Sequence, residues 1–215
     1  MSRLITARIA RALSLVLVVL GPLPVNATTL SFSNSLPGGL QLLSGSFVVL
    51  NQREEVNQPA FQPGQPTRLT IPALNVNAAV QDVGVAPGGD MDAPSNSVDV
   101  GWYRLGSHPG EPGSAVIAGH FDGKEGEPGV FNNLDKLQPG NKIHVKDEKG
   151  VTITFVVRES RRYNPDADAA DVFGSSDGKA HLNLITCAGA WDTTQESYSH
   201  RLIVFTDRED ERGHL

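Results

Sequence analysis

From Thr67 onward, short runs of alternating apolar and polar residues are separated by clusters of Gly, Pro, Asn and Asp. A period of two residues belongs to a strand buried on one face, because successive side chains leave opposite sides of the pleat. The pattern predicts eight strands, over residues 68–71, 78–85, 101–103, 114–120, 142–146, 151–160, 181–187 and 201–206. The clearest pair joins 142–146 to 151–160, since Asp147-Glu148-Lys149-Gly150 between them has the chemistry of a hairpin loop. Two short helices are predicted, one over 130–137 that stops at Pro139-Gly140 and one over 166–173 that stops at Gly174. Eight short strands with so little helix predict a mainly β fold, an antiparallel barrel or a sandwich.

Residues 1–27 follow a different pattern. Arg3, Arg8 and Arg11 precede an apolar run from Ala12 to Leu20, which Gly21, Pro22 and Pro24 break ahead of Val25-Asn26-Ala27. This is the layout of an export signal, and the run is far short of the ~20 residues that span a bilayer. Residues 1–27 are read as a signal peptide or an N-terminal membrane anchor, and either outcome places the rest of the chain outside the cytoplasm. Residues 28–65 are rich in Ser, Asn, Gln, Gly and Pro and lack an extended amphipathic period, so they are read as a flexible linker or stalk. Leu36-Pro37-Gly38-Gly39 within them is ordinary turn chemistry. A folded domain over 66–208 and a tail over 209–215 complete the expected organisation.

Composition narrows the function. The 215 residues carry 18 Lys plus Arg against 24 Asp plus Glu, a net charge of −6. Without residues 1–27, which hold three arginines and no acid, the balance is 15 − 24 = −9. Such a surface opposes nucleic-acid binding. At 39% hydrophobic and 20% charged the chain is globular, and 22 Gly with 14 Pro leave little room for long helices. One cysteine, Cys187, stands in an exported chain with no cysteine to pair with, so it is buried, bound to another chain, or used chemically.

Three predicted strands end or begin on groups suited to acyl transfer. His181-Leu182-Asn183-Leu184-Ile185-Thr186-Cys187 delivers the thiol just before the small residues Ala188-Gly189-Ala190. Ser114-Ala115-Val116-Ile117-Ala118-Gly119-His120 delivers an imidazole, and His200-Arg201 opens a third strand with a guanidinium. A thiolate is a nucleophile, an adjacent imidazole exchanges its proton, and an arginine donates hydrogen bonds to a developing oxyanion while remaining protonated. His120 lies 67 residues before Cys187 and Arg201 lies 14 after it, so the fold itself must assemble the group.

Ala118-Gly119-His120, Leu184-Ile185-Thr186-Cys187 and Arg201-Leu202-Ile203-Val204 resemble, in order and spacing, the His, Cys and Arg motifs of the sortases, cysteine transpeptidases of the Gram-positive cell surface. The resemblance covers about residues 67–207, and Val100-Gly101-Trp102-Tyr103 and Gly129-Val130-Phe131 are similar to the class E and class F types. It implies an eight-stranded sortase-type β-barrel with one or two short helices. It implies Cys187 as nucleophile and acyl-thioester carrier, His120 as general acid/base, and Arg201 as oxyanion or substrate stabiliser. The implied reaction cleaves a Leu-Pro-x-Thr-Gly-like sorting signal and passes the acyl group to an amine of the cell wall. The implied partners are surface proteins bearing that signal and a peptidoglycan precursor amine, at the cell surface. Two departures stand out: Asn183 occupies the first Thr of the family's Thr-Leu-x-Thr-Cys, and His200 precedes the arginine.

Plainer readings compete with this one. A lone cysteine on a strand is usually a small buried hydrophobe, so the alternative is a non-catalytic exported β-barrel that binds proteins. An L,D-transpeptidase would share the cysteine, but the Ser-x-Gly-Cys arrangement expected of it is missing here. His108, His144, His181, His200 and His214 are expected to be structural, with His200 the one substitute of interest. Asp122 and Asp192 follow His120 and Cys187 closely enough to orient the imidazole, though turn or surface positions are the ordinary use of such residues. Asp166, Asp168 and Asp171 precede the Cys strand without the spacing of a calcium loop, so no metal is expected, and no phosphate loop or other cofactor motif is present.

Overall fold

The structure, a computed structural model, describes residues 62–209. The signal or anchor over 1–27, nearly all of the stalk, and residues 210–215 of the tail lie outside the described residues. Within them the eight strands are β1 (Pro66–Ile71), β2 (Val76–Val83), β3 (Val100–Tyr103), β4 (Gly113–Gly119), β5 (Lys142–Asp147), β6 (Thr152–Tyr163), β7 (Ala180–Asp192) and β8 (Ser197–Arg208). They close into a barrel in the order β1-β2-β3-β4-β7-β8-β6-β5. The eight-stranded barrel of the expectation is therefore the fold, but it is mixed: β2–β3 and β4–β7 are parallel pairs. Each parallel pair is joined by a long connection, whereas hairpins such as β5–β6 keep neighbours antiparallel.

Alternation decides which side chains fill the barrel. On β7, Leu182 and Leu184 point inward with Ala115, Ile117, Leu202 and Val204 of the flanking strands, all buried. The intervening Ile185 points outward into a second apolar cluster with Val116, Ala118, Ile203 and Phe205. That outer layer also takes in Val83 and Met91 on one side and Ala169 and Val172 on the other. A strand buried on both faces reads as a continuous apolar run, which is the character of β4 and β7.

Both predicted helices shrink. Over 130–137 only a 3-10 turn forms, Leu134–Lys136. The amides of Leu134, Lys136 and Leu137 reach carbonyls three residues back rather than four, so the segment winds as tight 3-10 turns, while Val130 donates to the Ser97 carbonyl and Phe131 to the His120 carbonyl. Over 166–173 a single turn forms, α1 (Ala170–Phe173), whose first amide is capped by the Asp168 carboxylate at 3.0 Å. The loop 147–150 is a hairpin as expected, and Asp147 shapes it. Its buried carboxylate accepts the Val151 amide at 2.8 Å and the Gly64 amide at 2.9 Å. Burial opposes its ionisation, but the amides of Gly64, Val151 and Lys149 outweigh that and hold its pKa below the usual carboxylate range. The last residues of the expected stalk thus bind the barrel: Gln62 accepts from Lys149, and Gln65 exchanges hydrogen bonds with Glu148.

Candidate active site

The β7–β8 register places Cys187 directly across from Arg201. The β4–β7 ladder runs from Gly113 opposite Ala180 to Ala118 opposite Ile185, a constant offset of 67 residues. The ladder ends at Ala118 opposite Ile185 and His120 follows the last residue of β4, so the same offset, continued, would bring it level with Cys187. The spacing in the sequence is the register of the sheet. Adjacent strands lie about 5 Å apart, and β4 and β8 flank β7 on its two sides. Thr186 secures the junction from the inner face, donating its hydroxyl to the Gly119 carbonyl at 2.9 Å.

His120 is held by an acceptor that cannot donate. Its Nε2 lies 2.9 Å from the Pro94 carbonyl oxygen, so Nε2 carries the hydrogen and Nδ1 is the basic nitrogen of the neutral ring. Pro94 is fixed in turn through Ser95, whose amide and hydroxyl donate to Gln81 Oε1 at 3.0 and 3.1 Å. Gln81 itself donates to Asp99 at 2.9 Å. The amides of Asn96 and Gln81 hold the Asp99 carboxyl below its ordinary range, so it remains an acceptor. On the other side, the His120 carbonyl receives the Phe131 amide at 3.0 Å.

Gly129 explains one of the sequence phrases. A Cβ at this position would stand 2.6 Å from the His120 carbonyl carbon and 2.9 Å from that of Phe121. Gly101 plays the same part beside Val83, where a Cβ would meet the Val83 side chain at 2.7 Å. Trp102, fully buried in the barrel, donates its indole N–H to the Ser107 carbonyl at 3.2 Å.

Arg201 is completely buried, and three of its hydrogen bonds hold it to its own hairpin. Nη1 donates to the carbonyls of Tyr198 at 2.9 Å and His200 at 3.0 Å, and Nη2 to the Ser197 hydroxyl at 3.2 Å. A guanidinium so fixed loses little rotamer freedom when it meets a further acceptor. Cys187 is 7% exposed. The sheet pairs the thiol-bearing residue with the arginine, and the imidazole follows the neighbouring strand; a thiol, an imidazole and a guanidinium are the kinds of group that acyl transfer through a thioester uses.

The other candidates disperse. His200 pairs with Ala188, which puts it on the opposite face of the hairpin from Cys187, and its Nδ1 lies 2.8 Å from the Ser199 hydroxyl. His181 sits between Asp207 at 2.9 Å and Asp177 at 3.1 Å, and His144 bonds Thr154. His108 stacks on Trp102 with ring centroids 4.6 Å apart. Asp171 receives the Arg161 guanidinium and the Tyr163 hydroxyl, Asp192 accepts the Thr194 amide, and neither approaches an imidazole. Among the described residues no His, Cys, Asp and Glu gather in threes as metal ligands. Asn183 lies under α1, where its Nδ2 donates to the Val172 carbonyl at 2.6 Å. The departure from Thr thus fastens the helical turn that covers the outer face.

Two contacts were not legible beforehand. Pro94 acts through its backbone, which no side-chain pattern signals. Tyr198 donates to Asp122, and its only trace in the sequence is a position three residues before Arg201.

A model of the sortase domain matches residues 69–209. No curated protein matches the chain in sequence. Among solved structures, sortase C-1 from Actinomyces oris is 25% identical and superposes with a TM-score of 0.53 over 66% of this chain and 72% of its own. Streptococcus agalactiae sortase C1, solved as a complex with MTSET, is 26% identical, with a TM-score of 0.53 over 67% and 69% of the two chains. A lid mutant of sortase A from Corynebacterium diphtheriae shares the fold at 20% identity and a TM-score of 0.54, over 73% and 76%. With the domain model matching residues 69–209, from within β1 to the end of β8, the chain belongs to the sortase family.

Proposed function

We propose that this sortase is an exported cysteine transpeptidase of the class E or F type. It cleaves a Leu-Pro-x-Thr-Gly-like sorting signal and joins the freed carboxyl end to an amine of the cell wall. The observation that supports the reading is the pairing of Cys187 with Arg201 across β7 and β8, with His120 just past the end of β4, the other neighbour of β7. In the proposed cycle, His120 Nδ1 takes the thiol proton and Cys187 Sγ attacks the Thr carbonyl of the signal. The tetrahedral oxyanion is stabilised by Arg201, and the C–N bond to Gly breaks as the imidazolium protonates the departing amine. An acceptor amine then gives a proton to the imidazole and displaces the thiolate from the thioester, and the imidazolium returns that proton to the thiolate. Atoms and charge return to the start, so no cofactor is consumed.

One observation favours the alternative of a non-catalytic barrel: the 7% exposure of Cys187. A thiol probe separates the two. Alkylation of native Cys187 that slows in His120→Ala supports the enzyme, whereas labelling only after denaturation supports the binding module. Incubation with a library of Leu-Pro-x-Thr-Gly-like peptides and a small amine, read by mass spectrometry, then identifies the signal. Absence of any cleaved or transferred product across the library would refute the transpeptidase.

A further inference from the structure

Tyr198 Oη donates to Asp122 Oδ2 at 2.5 Å, joining positions 76 residues apart. An O–H···O⁻ contact of this length is the charge-assisted kind. Its ends belong to the two bodies that the proposed chemistry must hold together. Asp122 stands two residues after His120, and Tyr198 stands three before Arg201, across the hairpin from Trp191. The tyrosine ring is fixed edge-on by Phe121 at 5.5 Å and Trp191 at 5.2 Å, and its main-chain carbonyl accepts from Arg201 Nη1 at 2.9 Å.

We propose that the Tyr198–Asp122 bond is a clasp that holds the His120 loop against the β7–β8 hairpin, making both members positioning residues for acyl transfer. The inference rests on the reading of the site given above. Several ties of the His120 loop run to its far side, from His120 to Pro94 and from the carbonyls of His120 and Phe121 to residues 129–132. Toward the nucleophile, Thr186 ties Gly119 and Tyr198 ties Asp122, and His120 lies between these two anchors. Removing the second anchor frees the loop on one side of the imidazole. Burial, then the Asp122 hydrogen bond and the charges of Asp122 and Cys187, push the Tyr198 pKa up to about 12, so the phenol remains a donor at every working pH.

Tyr198→Phe deletes one oxygen and keeps the ring contacts, while Asp122→Asn keeps the shape and removes the charge. Each is measured for melting temperature, for kcat and KM on a cleaved sorting peptide, and for the rate of Cys187 alkylation by iodoacetamide at pH 7. The clasp predicts that each variant melts as a folded protein and loses about tenfold in kcat, the worth of a hydrogen bond to a charged group. KM changes less than about twofold, alkylation slows, and the double variant is no worse than the poorer single one. Parental kcat and alkylation rate in both single variants, a loss confined to KM, or losses that multiply in the double variant would overturn it. Alkylation needs no peptide. A parent that cleaves no peptide therefore refutes the transpeptidase reading, while the alkylation rates still judge the clasp.

Discussion

Gly129→Ala separates the position of His120 from its chemistry. The added methyl would lie 2.3 Å from the His120 carbonyl oxygen, where ordinary contact begins at 3.4 Å, so one of the two backbones must give by about 1.1 Å. Gly129 has no left-handed φ, so the perturbation is the collision alone. Crowding of this kind in a packed interior costs about 1–3 kcal/mol of stability. A catalytic group displaced by close to 1 Å loses about a hundredfold in rate. The expected result is a folded protein with a modestly lower melting temperature, kcat down by about a hundredfold, and slower alkylation of Cys187. Gly88→Ala is the control, since a Cβ there meets only the Asp90 carboxylate, at 3.8 Å, and neither stability nor turnover should change. Near-parental turnover in a fully folded Gly129→Ala protein would show that His120 tolerates displacement and is not a positioned acid/base.

Arg201→Lys keeps the charge but cannot span Tyr198, His200 and Ser197 with one planar group, so kcat should fall by roughly a hundredfold in steady-state kinetics. A change confined to KM would instead assign Arg201 to uniform substrate binding. Asp147→Ala strands the amides of Gly64 and Val151, and denaturant melts should show a loss of about 2–3 kcal/mol with little change in the kinetics of folded protein. Tyr198 has a folded pKa of about 12 against 10.0 for a free phenol, so its contribution is complete below pH 10 and is lost as pH rises through 12. The stability gap between parent and Tyr198→Phe should therefore shrink across that window, by about 2 kcal/mol, in melts at stepped pH.

Much of the barrel was legible because its strands carry their own period. All eight appear, and the 67-residue interval between His120 and Cys187 turns out to be the β4–β7 offset. Parallel pairing was not legible, since alternation states which face a residue takes and says nothing of strand direction. The expected β7 stops at Cys187 and the expected β8 starts at Arg201 because the hairpin beyond them, bulged between Ala188 and Trp191 and exposed from Gly189 to Asp192, has no apolar period. The helix expected over 130–137 is reduced to tight turns, because the amides of Leu134, Lys136 and Leu137 bond carbonyls three residues back. The supports of the site were illegible for a tertiary reason, Pro94 acting through a carbonyl and Tyr198 through a partner 76 residues away.

In the proposed reaction Cys187 carries the acyl group and His120 exchanges the protons. Its most direct measurement is intact-mass analysis of the protein mixed with a sorting peptide in the absence of amine. The prediction is a thioester adduct that maps to Cys187, is discharged by added amine, is absent in Cys187→Ala, and forms at least about a hundredfold more slowly in folded His120→Ala. Cleavage of the peptide by Cys187→Ala, or an adduct that maps to any other residue, would contradict it.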